Sequence, residues 1–251
     1  MHLCCLSERL LICFWKFCAF SGIVKYMKVQ VFAMNVEGQD FREKKWDRYL
    51  SEERKKAAER LRHGAEQLSL GAEVLLNRSL RAWGVQLSLP AAYTRNRYGK
   101  PYLTDMPELY VNWSHSGTWV ICVLSDREAG IDLQETRKEP KESLIRRVLQ
   151  PKEQDYYAQV PEADRHRLFY EYWTVKESYL KALGTGFQTS LDTFFVGMEG
   201  PCPTVFAEGR TAGYTCRLLE PAGRDYAAAV CIEGVHPELP VHPSVEYLPP
   251  G

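Results

Sequence analysis

Asp132, Trp173, Glu177 and Lys181 are the residues whose types and spacing could do chemistry. Trp173, Glu177 and Lys181 recur at intervals of four, so on a helix they lie along one face. Asp132 interrupts the apolar run Ala129-Gly130-Ile131-Asp132-Leu133, where a strand is expected and a carboxylate is not. Each has an ordinary reading. A Glu–Lys pair one turn apart is commonly a solvated surface pair worth about 0.3–0.5 kcal/mol, and Asp often ends a strand or serves a turn. Together, Asp132 and Glu177 would bring two hard carboxylate donors from separate elements. That set suits Mg²⁺, which keeps several waters and completes its octahedron with substrate phosphate oxygens.

Two polar clusters could bring a phosphate there. Gly99-Lys100-Pro101 sets a lysine on a constrained backbone. Ser114-His115-Ser116-Gly117-Thr118 gathers donors between two β-prone runs, Leu109 to Trp113 and Trp119 to Leu124. Those runs are expected to form a hairpin with the polar residues at its turn. Alone, a serine-rich turn is usually only a turn, and a lone histidine is usually surface.

The positioning elements follow from periodicity. A strand is expected from Met27 to Met34, then a helix over Glu52 to Arg62 capped by Ser51, and a second over Gln67 to Trp83. Tyr93 to Tyr102 reads as a loop or the start of a strand, and Ala129 to Leu133 as a short strand. Helices are expected around Lys141 to Leu149 and from Pro151 onward. Glu162 to Leu183 is the longest helical signal, stopped by Gly184-Thr185-Gly186. Runs over 193–196, 204–207, 214–219 and 226–232 follow as strands, and the Pro-rich residues 236–251 as a loose tail. The fold class is α+β. The expected division is an extension over 1–26, halves over 27–128 and 129–235, and the tail.

Composition excludes some classes. Of 251 residues, 45% are hydrophobic and 25% charged, with 32 basic and 32 acidic side chains. That balance suits a globular protein and argues against a general nucleic-acid coat. The eight cysteines form no C-x-x-C pair, so a zinc site is not expected. Cys122 and Cys231 lie in apolar runs and read as buried small hydrophobes, in a reducing cytoplasm. Leu10 to Val24 is apolar but broken by Lys16 and short for a membrane span. Met27 reads as the functional start.

In order, these segments resemble the surfactin-synthetase-activating (Sfp) type of 4′-phosphopantetheinyl transferase from Val29 to Ile232. The matching stretches are Tyr98-Gly99-Lys100-Pro101-Tyr102, Val111-Asn112-Trp113-Ser114-His115-Ser116-Gly117, Gly130-Ile131-Asp132 and Phe169 to Ala182. The last contains Trp173-Thr174-Val175-Lys176-Glu177-Ser178-Tyr179-Leu180-Lys181, and Asp132 precedes Glu177 by 45 residues.

The resemblance implies two similar-sized pseudo-symmetric α/β halves with the active site between them, the first binding coenzyme A and the second carrying the metal and catalytic helix. It implies transfer of 4′-phosphopantetheine from coenzyme A to a serine of an apo acyl, peptidyl or polyketide carrier protein, releasing adenosine 3′,5′-bisphosphate. Asp132 and Glu177 would hold Mg²⁺, with Mn²⁺ as a substitute. Glu177 is the family's candidate base, ranked second to its ligand role, and Lys181 would contact the diphosphate. Lys100, Pro101, Ser114 and His115 match coenzyme A-binding positions, His115 near the 3′-phosphate. A monomer without stable membrane association is expected.

Three features depart from the family. Gln134 stands where a third acidic ligand is common, and Glu135 would face the other side of a regular strand. Leu68 replaces an Arg that grips nucleotide phosphates, leaving Arg54, Lys55 or Arg62 to substitute. The first 26 residues match no family segment. Gln134 and Leu68 keep open a catalytically weak relative that binds coenzyme A or a carrier. A metal-dependent phosphodiesterase would need more His or Asp ligands. Between Asp132 and Glu177, Arg146, Arg147 and Lys152 are candidates for meeting an acidic carrier. Leu144, Ile145, Val148, Leu149, Tyr156 and Tyr157 read equally as helix packing.

Overall fold

The structure, a computed structural model, describes residues 27–62, 64–186, 189–200, 202–220, 223, 225–236, 239 and 245–249. The extension expected over 1–26 lies outside these residues. The chain is a mixed α/β protein. It opens with β1 (Val29–Asn35), a 3-10 turn (Lys44–Tyr49), α1 (Glu52–Ala58) and α2 (Ala65–Trp83). Ser51 caps α1 as expected, its side chain accepting a bond from Arg54 N at 3.1 Å. The helix stops short of Arg62 because Arg60 and Leu61 tighten onto carbonyls three residues back. In α2, Leu70, Val74, Leu75, Leu76 and Leu80 are buried together against the first sheet's Phe32, Cys122 and Leu124.

Next come β2 (Tyr93–Arg95), β3 (Pro101–Leu103), β4 (Tyr110–Ser116), β5 (Trp119–Ser125) and β6 (Ala129–Glu135). The β4–β5 hairpin forms, but β4 runs on through Ser116, leaving Gly117 and Thr118 as a two-residue turn. Gly117, at φ 57°, adopts the left-handed backbone this tight turn requires. Ser114 and His115 are therefore strand residues facing opposite ways, not neighbours in a turn.

After α3 (Glu142–Val148) and α4 (Pro151–Gln159), α5 spans Glu162–Leu183 and ends at Gly184 in the left-handed conformation, φ 66°. The remaining strands are β7 (Phe195–Gly197), β8 (Thr204–Ala207), β9 (Arg210–Thr211), β10 (Tyr214–Leu219), β11 (Tyr226–Glu233) and β12 (Val245–Tyr247). No described helix is long and apolar enough to cross a membrane.

One sheet runs β12-β1-β5-β4 and another β10-β11-β6, each carrying one long helix. Ala227, Ala229 and Cys231 of β11 share a core with α5. Their register partners on β6 are Gln134, Asp132 and Gly130, so these three also face α5. Ile131 and Leu133 point the other way, into a core with Val31, Ile121 and Val123 of the first sheet. Side chains join β4 to β6: Asn112 Oδ1 accepts Ile131 N–H at 3.0 Å and Ser116 Oγ accepts Glu135 N–H at 2.9 Å.

Two expectations are corrected. Cys231 is buried but not a lone thiol, because it is bonded to Cys216, its register partner on β10. Within the expected loose tail, Val245 to Leu248 is ordered into the fold, since β12 pairs in parallel with β1 and Leu248 N donates to Ala33 O at 2.9 Å. Proline content hid the short Val245-Glu246-Tyr247 strand, which depends on a distant edge for its partners.

Candidate active site

Gly130 sets how closely α5 approaches β6. A Cβ there would lie 2.2 Å from Ser178 O and 2.3 Å from Ala182 N. Without it, the last turns of α5 lie directly on the strand, and Lys181 reaches across to Asp132. Lys181 Nζ donates to Asp132 Oδ1 at 2.5 Å, Ser114 Oγ at 3.0 Å and Ile131 O at 3.1 Å. Ser114 Oγ in turn donates to Asp132 Oδ1 at 2.8 Å. Thus β4, β6 and α5 each contribute one side chain to a closed polar triangle.

Glu177 lies one turn before Lys181, yet the expected surface pair does not form. Its carboxylate has no hydrogen bond or ion pair among the described residues. Both residues line a cleft of about 250 Å³ with Arg95, Tyr98, Pro101 and Trp113. Asp132 stands behind Lys181, buried. Burial pushes the Glu177 pKa above the ordinary carboxyl value, and the charge on Asp132 raises it further, while Lys181 opposes both. Trp173 does not join the cleft: it packs on the helix core, 6.2 Å from the Phe169 ring.

A carboxyl whose pKa is raised by folding destabilises the fold once ionised. That penalty is full above the raised pKa and disappears as pH falls through it to below 4.5. With chelator present, Glu177→Gln is therefore expected to raise the melting temperature at high pH, with the gain vanishing near pH 4. Thermal melts from pH 4 to 9 test this, and a variant melting below the parent throughout would contradict it.

The other candidates are distributed unevenly. Pro101 and Lys100 line the cleft, but the Lys100 ammonium turns inward to the Glu128 carboxylate and to Ala182 O at 2.5 Å. His115 is exposed and absent from the cleft lining, yet the surrounding protein and the Lys181 and Arg54 charges push its pKa down. Gln134 shares Asp132's face, and its amide donates to Glu135 O at 3.3 Å. Glu135 interacts instead with Arg137, at 3.4 Å.

Of the three candidates to replace an Arg at Leu68, Arg54 alone turns toward Tyr93, whose ring packs edge-on against Trp113. It donates to Ser69 Oγ at 3.2 Å and to Tyr93 OH at 2.8 Å. Lys55 is paired with Asp47 and Glu52, and Arg62 is exposed.

Sequence reasoning missed Arg95, whose guanidinium stands 5.6 Å from the Trp113 ring at the cleft, and Glu128. It assigned no role to Asn112, although a polar residue within the β4 apolar run was a usable signal. Lys176, also without an assigned role, is wholly buried and paired with Glu153 at 2.7 Å. Ile145 and Val148 of α3 and the following Leu149 enter the core, with Leu144 and the α4 residues Tyr156 and Tyr157 packed against it. Arg146, Arg147 and Lys152 remain exposed.

Residues 128–231 match the family model described as the 4′-phosphopantetheinyl transferase superfamily. A 4′-phosphopantetheinyl transferase of Bacillus subtilis is 29% identical over 76% of this chain and 84% of its own length. The transferase Sfp of Bacillus subtilis strain 168 is 31% identical over 59% of this chain, which spans 65% of that relative. HetI of Nostoc is 39% identical over 35% of this chain and 39% of its own length. The crystal structure of Thermotoga maritima holo-[acyl-carrier-protein] synthase overlaps 43% of this chain and 64% of its own, at 22% identity and a TM-score of 0.36. The chain is thus similar to 4′-phosphopantetheinyl transferases, with Sfp-type relatives near 30% identity over much of its length.

Proposed function

We propose that this protein transfers the 4′-phosphopantetheine group of coenzyme A to a serine of an apo carrier protein, releasing adenosine 3′,5′-bisphosphate. Support comes above all from the convergence of Asp132, Ser114 and Lys181 beside the desolvated Glu177, in a chain similar to these transferases. In this reading the halves 27–128 and 129–235 are pseudo-symmetric, and the site lies between them.

The carrier serine oxygen bonds to the β-phosphorus while that phosphorus releases its bridging oxygen toward the nucleotide. The serine proton passes to Glu177 or to water. Lys181 donates to the diphosphate as charge moves onto the leaving oxygen, the kind of fixed electrostatic help phosphoryl transfer needs. Pro101, Ser114 and His115 remain the coenzyme A-binding candidates, while the Lys100 ammonium, turned inward to Glu128 and Ala182 O, leaves that set. Arg95 adds a cation on the aromatic side of the cleft, with Arg54 held behind it on Tyr93.

The donor set fits a divalent ion: two carboxylates, one buried and one desolvated, close enough for Asp132 to raise the Glu177 pKa. Asp132 and Glu177, with the Gln134 carbonyl as a neutral third donor, would hold Mg²⁺ or Mn²⁺. When bound, such an ion neutralises the diphosphate and stabilises its leaving end. No cluster of three or more His, Cys, Asp or Glu suited to a metal occurs among the described residues, which disfavours a two-metal phosphodiesterase. Arg146, Arg147 and Lys152 are proposed to meet the acidic carrier, with a cytoplasmic monomer as the working form.

Incubation with an apo carrier domain, coenzyme A and Mg²⁺ is expected to add the phosphopantetheine mass to the carrier. Asp132→Ala and Glu177→Ala should each abolish transfer, and full activity in either would overturn the metal assignment. Gln134→Glu should tighten the metal requirement; unchanged metal dependence would remove Gln134 from the ligand set. The neutral Gln134 favours a second reading, a weak relative that binds coenzyme A or a carrier. Binding without any mass increment across several carriers would select it.

A further inference from the structure

Lys100 is the cleft residue whose placement fits a phosphate contact least. Its side chain is only 3% exposed. Besides Glu128, its ammonium bonds to Ala182 O in the last turn of α5. Glu128, just before β6, also accepts from Tyr102 OH at 3.1 Å. The turn before Lys100 grips the same helix end: Asn96 Nδ2 donates to Gly184 O at 2.9 Å, while Asn96 Oδ1 accepts the N–H groups of Tyr98 and Lys100. The fit is close enough that a Cβ on Gly184 would come within 2.7 Å of Lys100 Cδ.

We propose that Lys100 and Glu128 are a positioning pair that clamps the C-terminal end of α5, so that Lys181 and Glu177 point into the cleft. The proposal rests on the transferase reading of that cleft. A helix end exposes carbonyls without intrahelical partners and carries partial negative charge, so a buried ammonium there is well matched. Glu128 supplies that ammonium's counter-charge and ties it to the start of β6, the strand that carries Asp132. The clamp thus fixes both sides of the Lys181–Asp132 contact from one point. Ala182 directly follows Lys181, so a small slip of this turn moves the Lys181 ammonium off Asp132, and displacements near 1 Å cost about a hundredfold in rate.

The test compares Lys100→Met, Glu128→Gln and the double variant with the parent. Coenzyme A affinity is measured by calorimetry and transfer by carrier mass, at a temperature where melts show every protein folded. A positioning pair predicts that each single variant loses about tenfold or more in kcat, with coenzyme A Kd within about twofold. The double variant should be no worse than the poorer single, because both changes open the same clamp.

A direct phosphate contact predicts the opposite. Lys100→Met would weaken coenzyme A about tenfold or more at near-normal kcat, and Glu128→Gln, by freeing the ammonium, would leave or tighten binding. That pattern overturns the proposal, as do unchanged kcat values or losses explained by the unfolded fraction. In those cases the parent still transfers. A parent that neither binds coenzyme A nor modifies a carrier would instead remove the transferase reading, and the proposal with it.

Discussion

Replacing Gly130 with alanine is expected to lower stability by about 3 kcal/mol, the upper end for overpacking a core, and to abolish transfer in whatever remains folded. The added carbon would stand 2.2 Å from Ser178 O, 2.3 Å from Ala182 N and 2.7 Å from Lys181 C. All three are backbone atoms of α5, so no side chain can rotate away. The helix must lift from β6, or the strand must bend. Lifting breaks the 2.5 Å contact between Lys181 and Asp132 and disturbs the α5 core of Phe169, Val175 and Ala229. For a chain of this length the loss corresponds to roughly 6–12 °C in melting temperature. A Gly130→Ala protein melting within 2 °C of the parent, by the same order-of-magnitude scale, would show that the helix does not sit so close.

Lys176→Met should be similarly damaging for an electrostatic reason. Lys176 and Glu153 are both fully buried and 2.7 Å apart. Lys176 Nζ also donates to Val148 O at 2.9 Å, Leu191 O at 2.8 Å and Phe194 O at 3.3 Å. Glu153 accepts the N–H groups of Val196 and Gln150. Burial is the largest influence on both, pushing Glu153 up and Lys176 down, each opposed by the other's charge. Removing the ammonium leaves a buried carboxylate without its counter-ion, which costs about 3–5 kcal/mol.

Lys176→Met/Glu153→Gln should recover about half of that loss, because it removes the stranded charge while keeping one acceptor oxygen, for either Val196 or Gln150. Urea denaturation of the three variants tests this coupling. Strictly additive effects would show that the pair does not act as one unit.

The α5 pattern was legible because its signals agreed over 22 residues: apolar spacing, a long uninterrupted run and a terminating glycine. Gly130-Ile131-Asp132 was equally visible, since a carboxylate in an apolar strand is an anomaly whatever its cause. Their meeting was not derivable from periodicity, which places residues on faces but does not dock one element on another. The Lys100–Glu128 clamp was hidden for the same reason: 28 residues separate the partners, and Glu128 carries no local signal. Ser114 was found but placed in a turn, because polar residues between two apolar runs look alike whether they close a hairpin or extend its strand. Lys176 was visible within the motif, but its burial depends on Glu153 from another helix.

The β12–β1 pairing bears on how this protein avoids sticking to itself. In its sheet β1 lies between β5 and β12, so without the late strand its outer row of N–H and C=O groups would be bare. Such a row is a template on which a strand from another molecule can grow, and Val31 to Met34 beside it are strongly apolar. With Val245–Tyr247 laid along that edge and Leu248 bonded to Ala33, the chain occupies its own docking groove. The late segment thus acts as an intramolecular competitor against edge-to-edge association, on the flank of the first sheet away from β4 and the cleft.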